Sequence, residues 1–183
     1  MKYKGVIFDL LTALLDSWSL WGKVAGSDEV GLRWRQEYLK LTYAAGAYRT
    51  YEDVVGDATK EAGLPIEWAD KLLARWSEIN PWPETNDLLA QLSTRIPMAV
   101  ATNCSNTLGL EAADILKVKI PHIVTAEGAG FYKPHARPYQ MAIEKLGLPP
   151  RDILFVAGSA SDVPGANAVG LDVYWHNQMG LAP

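Results

Sequence analysis

Asp9 closes the apolar run Val6-Ile7-Phe8, and Thr12 follows in the next turn. An ionised carboxylate at the end of a buried strand is costly unless other groups compensate its charge. Three later segments offer such groups: Thr102-Asn103, Lys133, and Ser159 with Asp162, each following an apolar run. A lysine beside two carboxylates would offset their charge and hold Asp9 ionised, as a nucleophilic carboxylate requires. Amides at a helix start near 103–106 would favour an anion. Taken singly, each residue has a plainer explanation. Asp9 or Thr102 could cap a turn or helix, Lys133 could be a solvated lysine, and Asp162 could be a helix-entry residue. Their shared position after four successive apolar runs argues for a site.

Those runs are the strands that must position the residues. Beyond the first, residues 97–101, 120–125, 153–156 and 171–175 read as short buried strands. Helical stretches alternate with them: 84–93, a helix after Asn106, 138–146 closed by Gly147, and 164–169 ended by Gly170. The rhythm predicts an α/β fold, a doubly wound parallel sheet with helices on both faces and a ligand site at the strands' carboxyl ends. Residues 17–80 break the rhythm, with helical spacing over 29–46, 51–62 and 66–79 and no strand pattern. They are expected to form an all-helical insert, hinged near Asp16–Ser19 and Asn80–Pro83. The core domain would then comprise 1–16 and 81–183, and the inserted domain 17–80.

Composition narrows the partners. A net charge of −4 with no basic cluster argues against nucleic acid and anionic membranes. The first apolar run is too short for a signal peptide and is interrupted by Asp9, and no stretch has the length of a membrane span. One cysteine, Cys104, excludes an intrachain disulfide framework and fits a reducing cytoplasm; beside Asn103 it reads as a small packing residue. Trp21, Trp34, Trp68 and Trp76 fall in the insert and are expected to pack its helices, although so apolar a segment also makes a homodimer plausible. His122, His135 and His176 lack metal-ligand spacing.

The four segments resemble the four motifs of the haloacid dehalogenase (HAD) superfamily, in order. Phe8-Asp9 is similar to the first, Thr102-Asn103 to the second, Lys133-Pro134 with Tyr139 to the third, and Asp162 at the end of Phe155-Val156-Ala157-Gly158-Ser159-Ala160-Ser161 to the fourth. That resemblance implies a Rossmann-like core, Asp9 as nucleophile and a helical cap between the first two motifs. Trp34-Arg35-Gln36 and Tyr174-Trp175-His176-Asn177 resemble the L-2-haloacid dehalogenase branch. Superfamily phosphatases generally carry a second Asp where this chain has Leu11 and an Asp where it has Gly158; dehalogenases usually have Tyr at Leu11, Gly-Thr at Thr12-Ala13 and Asn at Ser159.

Dehalogenation of a short 2-haloacid is therefore what the resemblance implies. Asp9 would attack C2, Lys133 would keep it ionised, Asp162 would activate water, and Arg35 would stabilise the leaving halide. A small anionic substrate would meet Thr102, Asn103 and Ser159, with Tyr139 supporting the site. No cofactor is expected. The alternatives are a phosphatase of a small phosphorylated metabolite, with Mg²⁺ on Asp9 and Asp162, and a non-catalytic relative. Arg35 also has a plainer reading, as a solvated or salt-bridged helix residue.

Overall fold

The computed structural model describes residues 2–182. In chain order, β1 (Gly5–Phe8) and β2 (Leu15–Asp16) flank a single π-helical turn, Leu10–Leu14. Four helices follow, α1 (Ser17–Ala25), α2 (Asp28–Ala45), α3 (Tyr51–Glu61) and α4 (Glu67–Ala74), and β3 (Asn80–Pro81) returns the chain. The remainder alternates: α5 (Thr85–Ser93), β4 (Met98–Thr102), α6 (Asn106–Asp114), β5 (His122–Thr125), α7 (Ala126–Ala129), α8 (Ala136–Leu146), β6 (Ile153–Ala157), α9 (Asp162–Ala168) and β7 (Asp172–Trp175).

Five strands make one parallel sheet in the order β5-β4-β1-β6-β7, with Ile7 level with Ala99 on one side and Phe155 on the other. β1 lies at the centre and is buried throughout, which is why its sequence is uniformly apolar rather than alternating. Val6 and Phe8 pack with Leu89 of α5 and Leu108 of α6, whereas Ile7 packs with Tyr139 and Ala142 of α8 and Ala166 of α9. The sheet is thus covered on both faces, as the alternation of elements predicts.

The first of these cores continues into the helical segment. Trp21, Trp34, Tyr38, Tyr51 and Trp76 are buried in it together with Phe8 and Leu11. Trp21 and Trp34 meet edge-on at 4.5 Å, and Trp34 donates its indole N–H to the Thr59 hydroxyl at 3.0 Å. The tryptophans therefore pack helices, as expected, and their apolar area lies inside the molecule.

Two local outcomes differ from the sequence reading. α1 is a helix where only a hinge was expected. Its Ser, Trp and Gly residues have weak intrinsic preference. Asp16 caps it by accepting from Ser19 N at 3.0 Å, and Gly22 lies so close to Gly31 of α2 that a Cβ on Gly31 would stand 2.7 Å from the Trp21 carbonyl carbon. The helix expected over 66–79 stops at Ala74, and Trp76–Glu78 forms a 3₁₀ turn instead. There the Trp76 indole donates to Leu108 O at 2.9 Å, a tertiary bond that local periodicity does not reveal. Where the hinges were expected, Leu15 and Asp16 pair antiparallel with Pro81 and Asn80.

Candidate active site

Asp9 follows β1 directly and caps the π turn, so its position is set by backbone before any other side chain arrives. One oxygen, Oδ2, accepts from Thr12 N (2.9 Å), the Thr12 hydroxyl (2.7 Å) and Ala13 N (3.3 Å). The turn is fastened from behind. Trp82 donates its indole N–H to Thr12 O at 3.1 Å, the Thr85 hydroxyl donates to Leu14 O at 2.8 Å, and Ser17 donates to Leu11 O.

The other oxygen, Oδ1, receives Lys133 Nζ at 2.8 Å, and the same ammonium lies 2.9 Å from Asp162 Oδ2. All three groups are buried. Asn103 at the end of β4 grips the Lys133 backbone from both sides: Lys133 N donates to Asn103 Oδ1 at 2.6 Å, and Asn103 Nδ2 donates to Lys133 O at 3.0 Å. Tyr139 of α8 donates its hydroxyl to Asp162 Oδ1 at 3.1 Å. Segments that follow four adjacent strands, β5, β4, β1 and β6, thereby place one ammonium between two carboxylates.

Burial works against the charge on Asp9, but Lys133 and the Thr12 donors outweigh it and hold the carboxyl below its ordinary value. For Asp162 the balance goes the other way. Burial and the neighbouring charge of Asp9 push it up against the opposing pull of Lys133 and Tyr139. Lys133 is disfavoured by burial yet raised by Asp162 and Asp9, so it stays an ammonium.

The structure brings Asp9, Lys133, Asp162, Tyr139 and Asn103 together by direct contact. Thr102 is fully buried at the end of β4 with its hydroxyl unpartnered, and Ser159 lies half-buried in the loop before α9. Arg35 lies apart from the carboxylates' hydrogen-bond network. Its guanidinium sits 4.8 Å from the Trp18 ring, 5.4 Å from Trp21 and 5.8 Å from Tyr38. It is 1% exposed, Nε and Nη1 have no partner, and no acidic side chain among the described residues pairs with it. The reading as a solvated or salt-bridged helix residue does not hold. Tyr38, beneath it, donates to Asn103 O at 3.0 Å and ties α2 to the end of β4.

The helix start near 103–106 differs from expectation. Asn106 N already donates to the Glu127 carboxylate at 2.6 Å, so this helix end holds an anion of the protein's own. Tyr43 was not visible as a site residue in the sequence. It lines a cleft with Gln36, Leu39, Lys40 and Ser161, opposite the loop that leads to Asp162. The one sequence signal for it is its spacing of seven from Gln36, two helical turns along the same face of α2.

The donor set does not suit Mg²⁺, which needs an octahedral array of oxygens. The space between the two carboxylates is taken up by the Lys133 ammonium, Leu11 has no donor side chain, and its carbonyl already accepts from Ser17. Gly158 cannot carry an acid at all, because a Cβ there would overlap the Thr12 hydroxyl and backbone. No cluster of three or more His, Cys, Asp or Glu that could hold a metal occurs among the described residues.

Comparison with known proteins agrees with this arrangement. The chain is 27% identical to the (S)-2-haloacid dehalogenase of Pseudomonas sp. strain YL, covering 97% of this chain and 84% of that protein. It is 26% identical to haloacetate dehalogenase H-2 of Moraxella sp. strain B, over 99% and 88%. The L-2-haloacid dehalogenase of Xanthobacter autotrophicus, solved with chloropropionic acid covalently bound, superposes with a TM-score of 0.82 at 21% identity, over 93% and 76% of the two chains. A family model for haloacid dehalogenase-like hydrolases matches residues 3–170. With that match spanning four of the five strands of the sheet, the helical segment and all four polar strand ends, the chain belongs to the haloacid dehalogenase-like hydrolases.

Proposed function

We propose that the protein hydrolyses short 2-halocarboxylic acids without a metal, through a covalent ester on Asp9. The observation that carries this reading is the Lys133 ammonium seated between Asp9 and Asp162, 2.8 and 2.9 Å away. It keeps the nucleophile ionised and stands where a divalent ion would have to bridge the carboxylates.

Asp9 attacks C2 of the substrate, and the halide leaves in line with the electron pair of the broken carbon–halogen bond. Water, deprotonated toward Asp162, then adds to the ester carbonyl of Asp9 and releases the 2-hydroxy acid, regenerating the carboxylate. Arg35 supplies the cation where halide charge develops. A buried guanidinium without a carboxylate is costly unless an anion meets it, and its two unpartnered nitrogens support that role. The unpartnered Thr102 hydroxyl and Ser159 receive the substrate carboxylate. Asn103, its side chain engaged with the Lys133 backbone, acts as a positioning residue rather than a direct ligand. Residues 17–80 act as a cap domain on a core of 1–16 and 81–183.

The test is halide release from (S)-2-chloropropionate in the presence of EDTA, with (R)-lactate as product, since one inversion at C2 is the only stereochemical event. A single turnover in ¹⁸O-water should place the label in Asp9 rather than in lactate. Phosphate release that needs Mg²⁺, with no halide release, would overturn the reading.

A further inference from the structure

One side chain joins the two halves of the proposed reaction centre. Tyr38 stands on α2 three residues after Arg35, on the same helix face, and is buried. Its ring centre lies 5.8 Å from the Arg35 guanidinium carbon, and its hydroxyl donates to Asn103 O at 3.0 Å. The Asn103 side chain holds the Lys133 backbone at N (2.6 Å) and at O (3.0 Å), and the Lys133 ammonium meets Asp9 at 2.8 Å. A series of direct contacts therefore runs from the cation on the helical segment to the carboxylate that follows β1.

The Tyr38 ring has little freedom to move. Trp21 lies 5.4 Å from it and Tyr51 5.3 Å, centre to centre. It is also the third ring near the guanidinium, after Trp18 at 4.8 Å and Trp21 at 5.4 Å. Aromatic faces attract a cation without offering an acceptor to its N–H groups. They offset part of the cost of burying Arg35 and leave Nε and Nη1 without a partner. A carboxylate would steady the cation as well, but would occupy the donors that a halide needs.

In-line displacement at C2 requires the nucleophile and the halide acceptor at a fixed separation, on opposite sides of the carbon. Arg35 and Asp9 belong to different elements, so some contact must set that separation. We infer that Tyr38 is a positioning residue for the displacement step. Its ring seats Arg35, and its hydroxyl, by fixing α2 to the end of β4, holds that seat at working distance from Asp9. It acts through Arg35 and Asn103. The inference rests on the dehalogenase reading and adds to it the group that spaces nucleophile and halide acceptor.

Tyr38→Phe keeps the ring and removes the hydroxyl, and Tyr38→Leu removes both. Halide release is followed in a single turnover, well below the melting temperature of each variant. With Tyr38→Phe, release from (S)-2-chloropropionate should slow about tenfold or more, since a misplacement of about 1 Å can cost about a hundredfold. The half-saturating substrate concentration should stay within about threefold of the wild type. With Tyr38→Leu, release should slow further. The rate ratio of 2-bromopropionate to 2-chloropropionate should also rise several-fold above its value in Tyr38→Phe, because chloride, the poorer leaving group, depends more on Arg35. A ring that serves packing alone predicts the wild-type rate in Tyr38→Phe, since phenylalanine fills the same space. A tie that serves stability alone predicts a lower melting temperature at the wild-type rate. Either result overturns the inference, as does a leaving-group ratio equal in the two variants. A wild type that releases no halide sinks the dehalogenase reading itself, and does so before any variant is made.

Discussion

Asp9 and Asp162 touch the same ammonium, and yet their protonation equilibria move in opposite directions. The difference lies in their other partners: Asp9 has the Thr12 and Ala13 donors, whereas Asp162 has one phenol and the repulsion of Asp9. Asp9 thus stays charged in acid, and Asp162 loses its charge first. kcat/KM ends at the loss of halide and follows the ionisation of Asp9, so its acid limb should lie below the ordinary aspartate value of about 4, and Lys133 should impose no alkaline limb below about 10.4. Forming the ester removes the Asp9 charge that raises Asp162. Hydrolysis of trapped ester, followed by rapid quench, is the step whose acid limb should report Asp162 with that repulsion removed. Asp9→Asn should abolish halide release, by roughly 10⁴-fold or more, as loss of a nucleophile does. Arg35→Met removes a buried cation that has no carboxylate partner. It should leave thermal stability unchanged or raised by about 1–3 kcal/mol while abolishing turnover, and it should remove any bromide-specific rise in melting temperature seen in the wild type. At this scale the sequence was informative about Asp9, Lys133 and Asp162, because strand ends are fixed by local pattern. Tyr43 escaped notice because the cleft it lines depends on how α2 sits against a loop more than a hundred residues away.

Among the elements, the π turn and α1 matter most for holding the site. The turn fits only because Gly158 passes beneath it without a side chain. Gly158→Ala should therefore destabilise the protein by about 3 kcal/mol or more, measured by denaturant unfolding, since the clash is with backbone that cannot rotate away. α1 and α2 approach at Gly22 and Gly31, one turn before Arg35. Gly31→Ala should push the helices apart, cost about 2–3 kcal/mol and weaken halide binding by displacing Arg35. α1 was not legible in the sequence because tertiary contact, not intrinsic preference, makes it helical; the Asp16 cap was the available sign. α2, with its Ser27 cap and regular apolar spacing, was legible almost to the residue. The early end of α4 was not, since the Trp76 bond that stops it joins residues 32 apart.

At the scale of the whole molecule, pH acts on stability through these same groups with opposite signs. Asp9, lowered in the folded state, contributes stability above the unfolded value of about 4. That contribution disappears as pH falls through its folded value. Asp162, raised, opposes folding at neutral pH and ceases to do so in acid. Asp162→Asn should accordingly leave neutral-pH stability unchanged or higher, whereas Asp9→Asn should lower it and flatten its acid dependence, as read by urea unfolding across pH 3 to about 8. Lys133, raised, adds stability that is lost only as pH climbs through its folded value. The doubly wound sheet was readable from alternation alone, but the merging of the first of its two cores with the helical segment was not, because a sequence does not say which apolar faces meet.

The chain leaves the sheet at Leu15-Asp16 and comes back at Asn80-Pro81, and these two short stretches lie side by side as a ladder. Everything between them hangs from one stem whose ends are neighbours. Such a joint is a socket. Insertions, deletions or a wholly different helical module can be exchanged there without re-registering a strand of the sheet, so the carboxylate cluster and the helical segment are free to diverge at separate rates.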